Sequence, residues 1–108
     1  MKTLPAPSHT LTIWIAGDLA MARQVCREFC MDVGLCVTVT PTIFIYTGGE
    51  ESGAAVRLIN YPRFPSSPAV LWNTAETLAA LLRERLCQHS YSIEGPELTK
   101  WFSVRGEP

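Results

Sequence analysis

Apolar and polar residues alternate over residues 10–16, with Leu11, Ile13 and Ile15 on one side and Thr10, Thr12 and Trp14 on the other. A period of two is that of a half-buried β-strand. At Gly17 and Asp18 the period changes. Leu19, Ala22, Val25, Cys26, Phe29 and Val33 recur at helical spacing, and Arg23, Gln24, Arg27, Glu28 and Asp32 occupy the opposite side. Asp18 stands where a helix N-cap belongs, and Gly34 where a C-terminal glycine belongs. Residues 35–40 are rich in β-branched side chains and predict a second strand. Pro41 cannot donate to a ladder, so this strand is expected at a sheet edge or bulged at that point.

Residues 43–46 continue the second strand, and residues 56–61 return as the third. Between them lie residues 47–53 with three glycines, which predict a hairpin with a slightly long tip. Gly48, Gly49, Glu50 and Glu51 are the expected loop-tip residues. Two prolines at 62 and 65 then lead the chain out of the sheet. Ser66, Ser67 and Pro68 announce a second helix, whose apolar stripe is Leu71, Trp72, Ala75, Leu78, Ala79, Leu82 and Leu86. Residues 91–93 and 98–104 read as strands around a turn at 94–97. The order is β-α-β-β-α-β with a possible extra C-terminal strand. This is the ferredoxin-like α+β arrangement, an antiparallel sheet with two helices on one face. Residues 1–9, with two prolines, are expected to form a flexible N-terminal arm before a single domain over residues 10–105.

Composition adds little to this pattern. A chain of 108 residues that is 47% hydrophobic is long enough for one real core. The formal net charge of −1 and the lack of charged runs argue against nucleic-acid binding. The apolar run near the start is short and broken by Pro5, Pro7, His9 and Thr12, so neither a signal peptide nor a membrane span is expected. The expected location is cytoplasmic.

If Leu11, Ile13, Ile15, Val56 and Leu58 face the helices, then Trp14, Arg57, Ile59 and Tyr61 face the side no helix covers. Phe44 or Tyr46, and Trp101, are expected to join them. A large apolar area there would call for a cover, such as a second copy or a partner protein. Tyr61, Arg63 and Phe64 belong to residue types enriched at interface centres. Trp14, Arg57, Ile59, Tyr61, Arg63 and Phe64 are therefore the expected contact surface.

Motifs for chemistry are weak. Cys26, Cys30, Cys36, Cys87 and His89 match no metal-ligand spacing, and the cysteines read as reduced thiols. Cys87 and His89 stand at a helix end that disfavours a thiolate. The glycine-rich stretch lacks the lysine and the strand-to-helix setting of a phosphate loop, and Glu50 and Glu51 would repel phosphate. No cofactor and no metal are expected.

The run IAGDLAMARQVCREFCMDVGLCVTV, followed by YTGGEESG and LINYPRFP, resembles short accessory proteins encoded by tailed phages and prophages, over roughly residues 12–104. The resemblance implies a binder of host machinery, an inhibitor of anti-phage defence such as an anti-CRISPR protein, or a virion assembly part. The leading expectation is thus a non-enzymatic interaction module that masks a host protein or complex, with a homodimer as a further option. One alternative is a single-stranded RNA- or DNA-binding module of RRM type, stacking bases on Trp14 and Tyr61. Another is an enzyme or metabolite sensor with a pocket at a dimer interface.

Overall fold

In the computed structural model, which describes residues 1–105, the sequence periods become seven elements. They are β1 (Thr10–Ala16), α1 (Leu19–Val33), β2 (Val37–Tyr46), β3 (Gly49–Ile59), α2 (Pro68–Arg85), β4 (Ser90–Glu94) and β5 (Thr99–Ser103). Both helices begin as their caps dictate. The Asp18 carboxylate accepts the Met21 N–H at 2.8 Å, and the Ser67 hydroxyl accepts the Val70 N–H at 3.2 Å, with Pro68 in the first turn. Gly34 ends α1 in the left-handed conformation, at φ 69°.

The five strands form one antiparallel sheet in the order β2-β3-β1-β4-β5. This is the ferredoxin-like topology with β5 added beside β4. Pro41 lies in β2, an edge strand, opposite Ala54 and without interrupting the register.

Both helices cover one face. Leu11, Ile13, Ile15, Val56, Leu58 and Ile93 point into that layer and are almost fully buried. They meet Ala22, Val25 and Phe29 of α1 and Leu71, Ala75, Leu78 and Leu82 of α2. At about 25 cal/mol per Å2, each large aliphatic side chain in this layer contributes about 1.5–3 kcal/mol.

The hairpin differs from its sequence-based expectation. The turn is only Thr47 and Gly48, with Gly48 at φ 90°, and β3 already starts at Gly49. Gly49, Glu50 and Glu51 therefore stand in a strand, opposite Tyr46, Ile45 and Phe44, and are not loop-tip residues. Pairing over a ten-residue strand outweighs the weak local preference of glycine. Gly53 has a packing reason of its own. A Cβ there would strike the Ile15 carbonyl and come within 2.6 Å of the Phe44 ring.

The end of the N-terminal arm is tied to the sheet by Asn60, the one polar residue buried among the described residues. Its side-chain amide donates to the Pro7 carbonyl at 2.8 Å, its side-chain oxygen accepts the Ser66 N–H at 2.8 Å, and its backbone N–H donates to the His9 carbonyl at 3.1 Å. His9 Nε2 donates to the Ser66 carbonyl at 3.0 Å. Among the described residues no helix is long and apolar enough to cross a membrane.

Candidate functional site

The face that no helix covers is built from the alternate residues of the same strands. Across the middle of the sheet the register sets Thr40, Ala55, Trp14, Ser92 and Trp101 in one row. The row below holds Thr38, Arg57, Thr12, Glu94 and Thr99. Most of these side chains are small or hydroxylated. The face is a polar floor from which a few aromatic rings rise, and it lacks the broad apolar area expected of it.

Three rings enclose the floor near one end of the sheet. Trp14 is held by a hydrogen bond from its indole N–H to Glu94 at 2.9 Å. Phe44 meets Trp14 edge to face, with centroids 6.4 Å apart. The Phe44 ring can lie over β3 only because position 53 is a glycine. Trp101 stands on the far side, about half exposed. β1 stops at Ala16, where Gly17 turns away and donates its N–H to the Ser52 carbonyl at 3.0 Å. The sheet therefore opens between Glu51 on β3 and the turn that enters β4.

Two joined hollows result. One of about 160 Å³ lies among Trp14, Phe44, Trp101, Ala16, Ser90 and Ser92. The other, of about 330 Å³, is lined by Glu51, Gln88, His89, Ser90, Trp101, Ser103 and Arg105. They share Glu51, Gln88, Ser90 and Trp101. The larger hollow alone reaches the size range of small-molecule sites, about 300–1,000 Å³.

The turn that carries Gln88 and His89 is itself a helix-ending device. Cys87 adopts the left-handed conformation at φ 56°, its N–H donates to the Glu84 carbonyl at 3.2 Å, and Gln88 N–H donates to the Arg83 carbonyl at 2.9 Å. This is a Schellman ending with a cysteine where glycine is usual. It directs His89 to the cleft. In that cleft an aromatic wall, one carboxylate, one imidazole and one guanidinium converge. Such a set suits a ligand with a flat heterocycle and charges of both signs.

The six residues expected as one contact surface do not come together. Trp14 and Arg57 lie on the open face, and Ile59 at its far edge. Tyr61 and Phe64 leave β3 and stack on one another with centroids 5.0 Å apart. They line a separate hollow of about 320 Å³ with Val33, Leu35, Cys36 and Val70, between the end of α1 and the start of α2. The end of β3 at Ile59 already lies four residues, about 13 Å, past the partner of Trp14, and Tyr61 follows beyond it. Cys36 donates to the Tyr61 hydroxyl at 3.8 Å, and this contact raises the phenol's pKa. Arg63 is exposed beyond that pair. The prolines that end β3 at Ile59 account for the split, because Tyr61 no longer follows the strand's alternation.

Sequence reasoning named Glu51 as part of a loop, His89 as a weak metal or base candidate, and Phe44 and Trp101 as open-face residues. It missed Gln88, Ser90, Ser92, Ser103 and Arg105. The signal that could have found the three serines is the outward set of β4 and β5, where serine alternates with Tyr91 and Ile93; Gln88 and Arg105 lie outside both strands.

No protein-family model matches the chain, and no curated protein sequence does. Two solved structures share its fold from end to end. One is a phage SAM lyase in complex with S-methyl-5′-thioadenosine, 13% identical, with a TM-score of 0.76, covering 100% of this chain and 98% of that one. The other is a phage SAM lyase in the apo state, 15% identical, with a TM-score of 0.71 and the same coverage. Both are phage proteins, which fits the accessory class that the sequence resembles. Both are also enzymes. This overturns the expectation of a non-enzymatic, anti-CRISPR-like module masking a host complex, together with its alternatives of a single-strand-binding module and a virion assembly part.

Proposed function

We propose that this chain is a phage-encoded lyase acting on S-adenosylmethionine, and that the cleft on the open sheet face is its active site. The observation that carries this reading is the fold shared end to end with a SAM lyase. The contents of the cleft support it. S-adenosylmethionine offers a flat adenine, a sulfonium, an ammonium and a carboxylate. Trp14, Phe44 and Trp101 provide ring faces for the adenine and for the sulfonium cation. Glu51 provides a carboxylate for the ammonium.

Comparing S-adenosylmethionine with S-methyl-5′-thioadenosine identifies the bond that breaks as the one between sulfur and Cγ of the amino-acid part. Sulfur keeps the electron pair and becomes a neutral thioether. The four-carbon fragment must then gain a pair. Its own carboxylate can supply it by bonding to Cγ, closing a five-membered lactone as the C–S bond opens. No proton moves and no water enters. A carboxylate and a sulfonium cancel along this path, so apolar ring walls favour the transition state over the separated charges. Elimination would need a base able to remove an unactivated Cβ proton. His89 Nδ1 already accepts a hydrogen bond, and a surface carboxylate such as Glu51 is too weak a base.

The test is to incubate the protein with S-adenosylmethionine and analyse products by liquid chromatography and mass spectrometry. S-methyl-5′-thioadenosine and homoserine lactone are expected in equal amounts, with the rate falling in Trp101→Ala and Glu51→Gln. A folded wild type that releases no S-methyl-5′-thioadenosine would overturn the reading. Vinylglycine in place of the lactone would replace ring closure by elimination.

A further inference from the structure

On that reading, we infer that His89 and Arg105 together form the receptor for the substrate's α-carboxylate, and so set the cleft's selectivity for an intact amino acid over the bare thionucleoside. The two side chains are joined. Arg105 Nε–H donates to His89 Nδ1 at 3.0 Å. In that bond Nδ1 is the acceptor, which leaves Nε2 as the ring nitrogen that donates. Arg105 uses only its inner nitrogen in this bond. Its two terminal NH2 groups make no hydrogen bond or ion pair with any other described residue.

The backbone fixes this pair at the rim of the larger hollow. Val104 N–H donates to the His89 carbonyl at 2.9 Å, which ties the end of β5 to the turn before β4. Arg105 N–H donates to the Ser103 hydroxyl at 3.1 Å. Both His89 and Arg105 line the same hollow as Glu51. The rim thus carries an imidazole N–H and a guanidinium fork, and the β3 side carries a carboxylate. An α-amino acid head presents the matching pair, a carboxylate and an ammonium. The guanidinium fork fits a planar carboxylate better than a point charge would. Each carboxylate oxygen has two lone pairs, so one that accepts from the fork can still offer the other to Cγ, and the same contact orients the internal nucleophile.

The test uses two probes that do not react. S-adenosylhomocysteine carries the amino-acid head but a neutral sulfur, and S-methyl-5′-thioadenosine lacks the head. Their dissociation constants are measured by calorimetry for wild type, Arg105→Gln, His89→Ala and His89→Gln, with Arg63→Gln as a control from the opposite end of the molecule. Wild type should bind S-adenosylhomocysteine more tightly. Arg105→Gln and His89→Ala should each weaken that probe roughly tenfold, with S-methyl-5′-thioadenosine changed less than about twofold. Glutamine at 89 keeps an acceptor and a donor and should restore part of the loss. Equal loss for both probes, or a wild type that holds both equally, overturns the inference and leaves the lyase reading intact. A wild type that binds neither probe brings down the lyase reading itself.

Discussion

The two faces of the sheet are made by the same strands and obey different rules. On the covered face Leu11, Ile13, Ile15, Val56, Leu58 and Ile93 are large, branched and almost fully buried. On the open face their neighbours in sequence are Thr12, Ala55, Arg57, Ser92 and Glu94, with Trp14 standing among them. The covered face maximises apolar area removed from water. The open face keeps short side chains, so that a few rings can lie down and leave room between them. One face holds the fold together, and the other leaves space for a ligand.

The largest effect that would test this contrast is on the covered side. Ile13→Ala should cost about 2–5 kcal/mol by denaturant unfolding, because it opens a cavity at the centre of the sheet. An equally central open-face change, Thr12→Ala, should cost far less. Similar costs at the two sites would collapse the distinction between the faces.

Gly53→Ala sharpens the comparison from the other side. It adds one methyl to the open face and should still cost about 1–3 kcal/mol, since the new Cβ meets Phe44 and the β1 backbone. On the proposed lyase reading it should also weaken S-methyl-5′-thioadenosine binding by displacing the Phe44 ring. If stability and binding are both unchanged, Phe44 is not seated as described.

A smaller change of opposite sign is expected beside the cleft. Cys87→Gly relieves a left-handed residue at the end of α2 and should stabilise by a few tenths to about 1 kcal/mol. A loss of stability would mean that the Schellman ending is not under strain.

A last effect appears only at alkaline pH. Cys26, on the buried side of α1, has its pKa pushed up to about 11 by burial and by the neighbouring Cys30 thiol. The unfolded chain ionises this thiol first, near 9.0, so stability should fall as pH rises from there towards 11. Cys26→Ala should flatten this alkaline limb. Labelling with a thiol reagent should modify Cys36 and Cys87 before Cys26, as their exposure requires. Labelling of Cys26 at the rate of Cys36 would contradict its burial.

What could be read from the sequence divides along the same line. Ile13, Val56 and Leu82 repeat at the periods that burial imposes, and Asp18, Gly34, Ser67 and Pro68 act through the backbone within four residues of themselves. Those signals are local, and the fold followed from them. The hairpin tip was misplaced because Gly49 and Gly53 have the composition of a loop. The reason for Gly53 lies in Phe44 and Ile15, distant along the chain. The cleft was hidden for a related cause. Glu51, His89, Trp101 and Arg105 come from three segments and mark no pattern in any one of them. Their juxtaposition exists only once β5 has paired with β4 and β1 has stopped at Ala16.

Asn60 has a practical consequence for anyone handling the protein. An affinity tag fused ahead of Met1 leaves the Pro7 and His9 carbonyls where they are. A truncation that removes the first nine residues takes away two of the acceptors that Asn60 uses, and strands its amide in a place only 8% open to water. Whether residues 7–9 are kept therefore decides whether the turn leading into α2 is expressed with its latch closed.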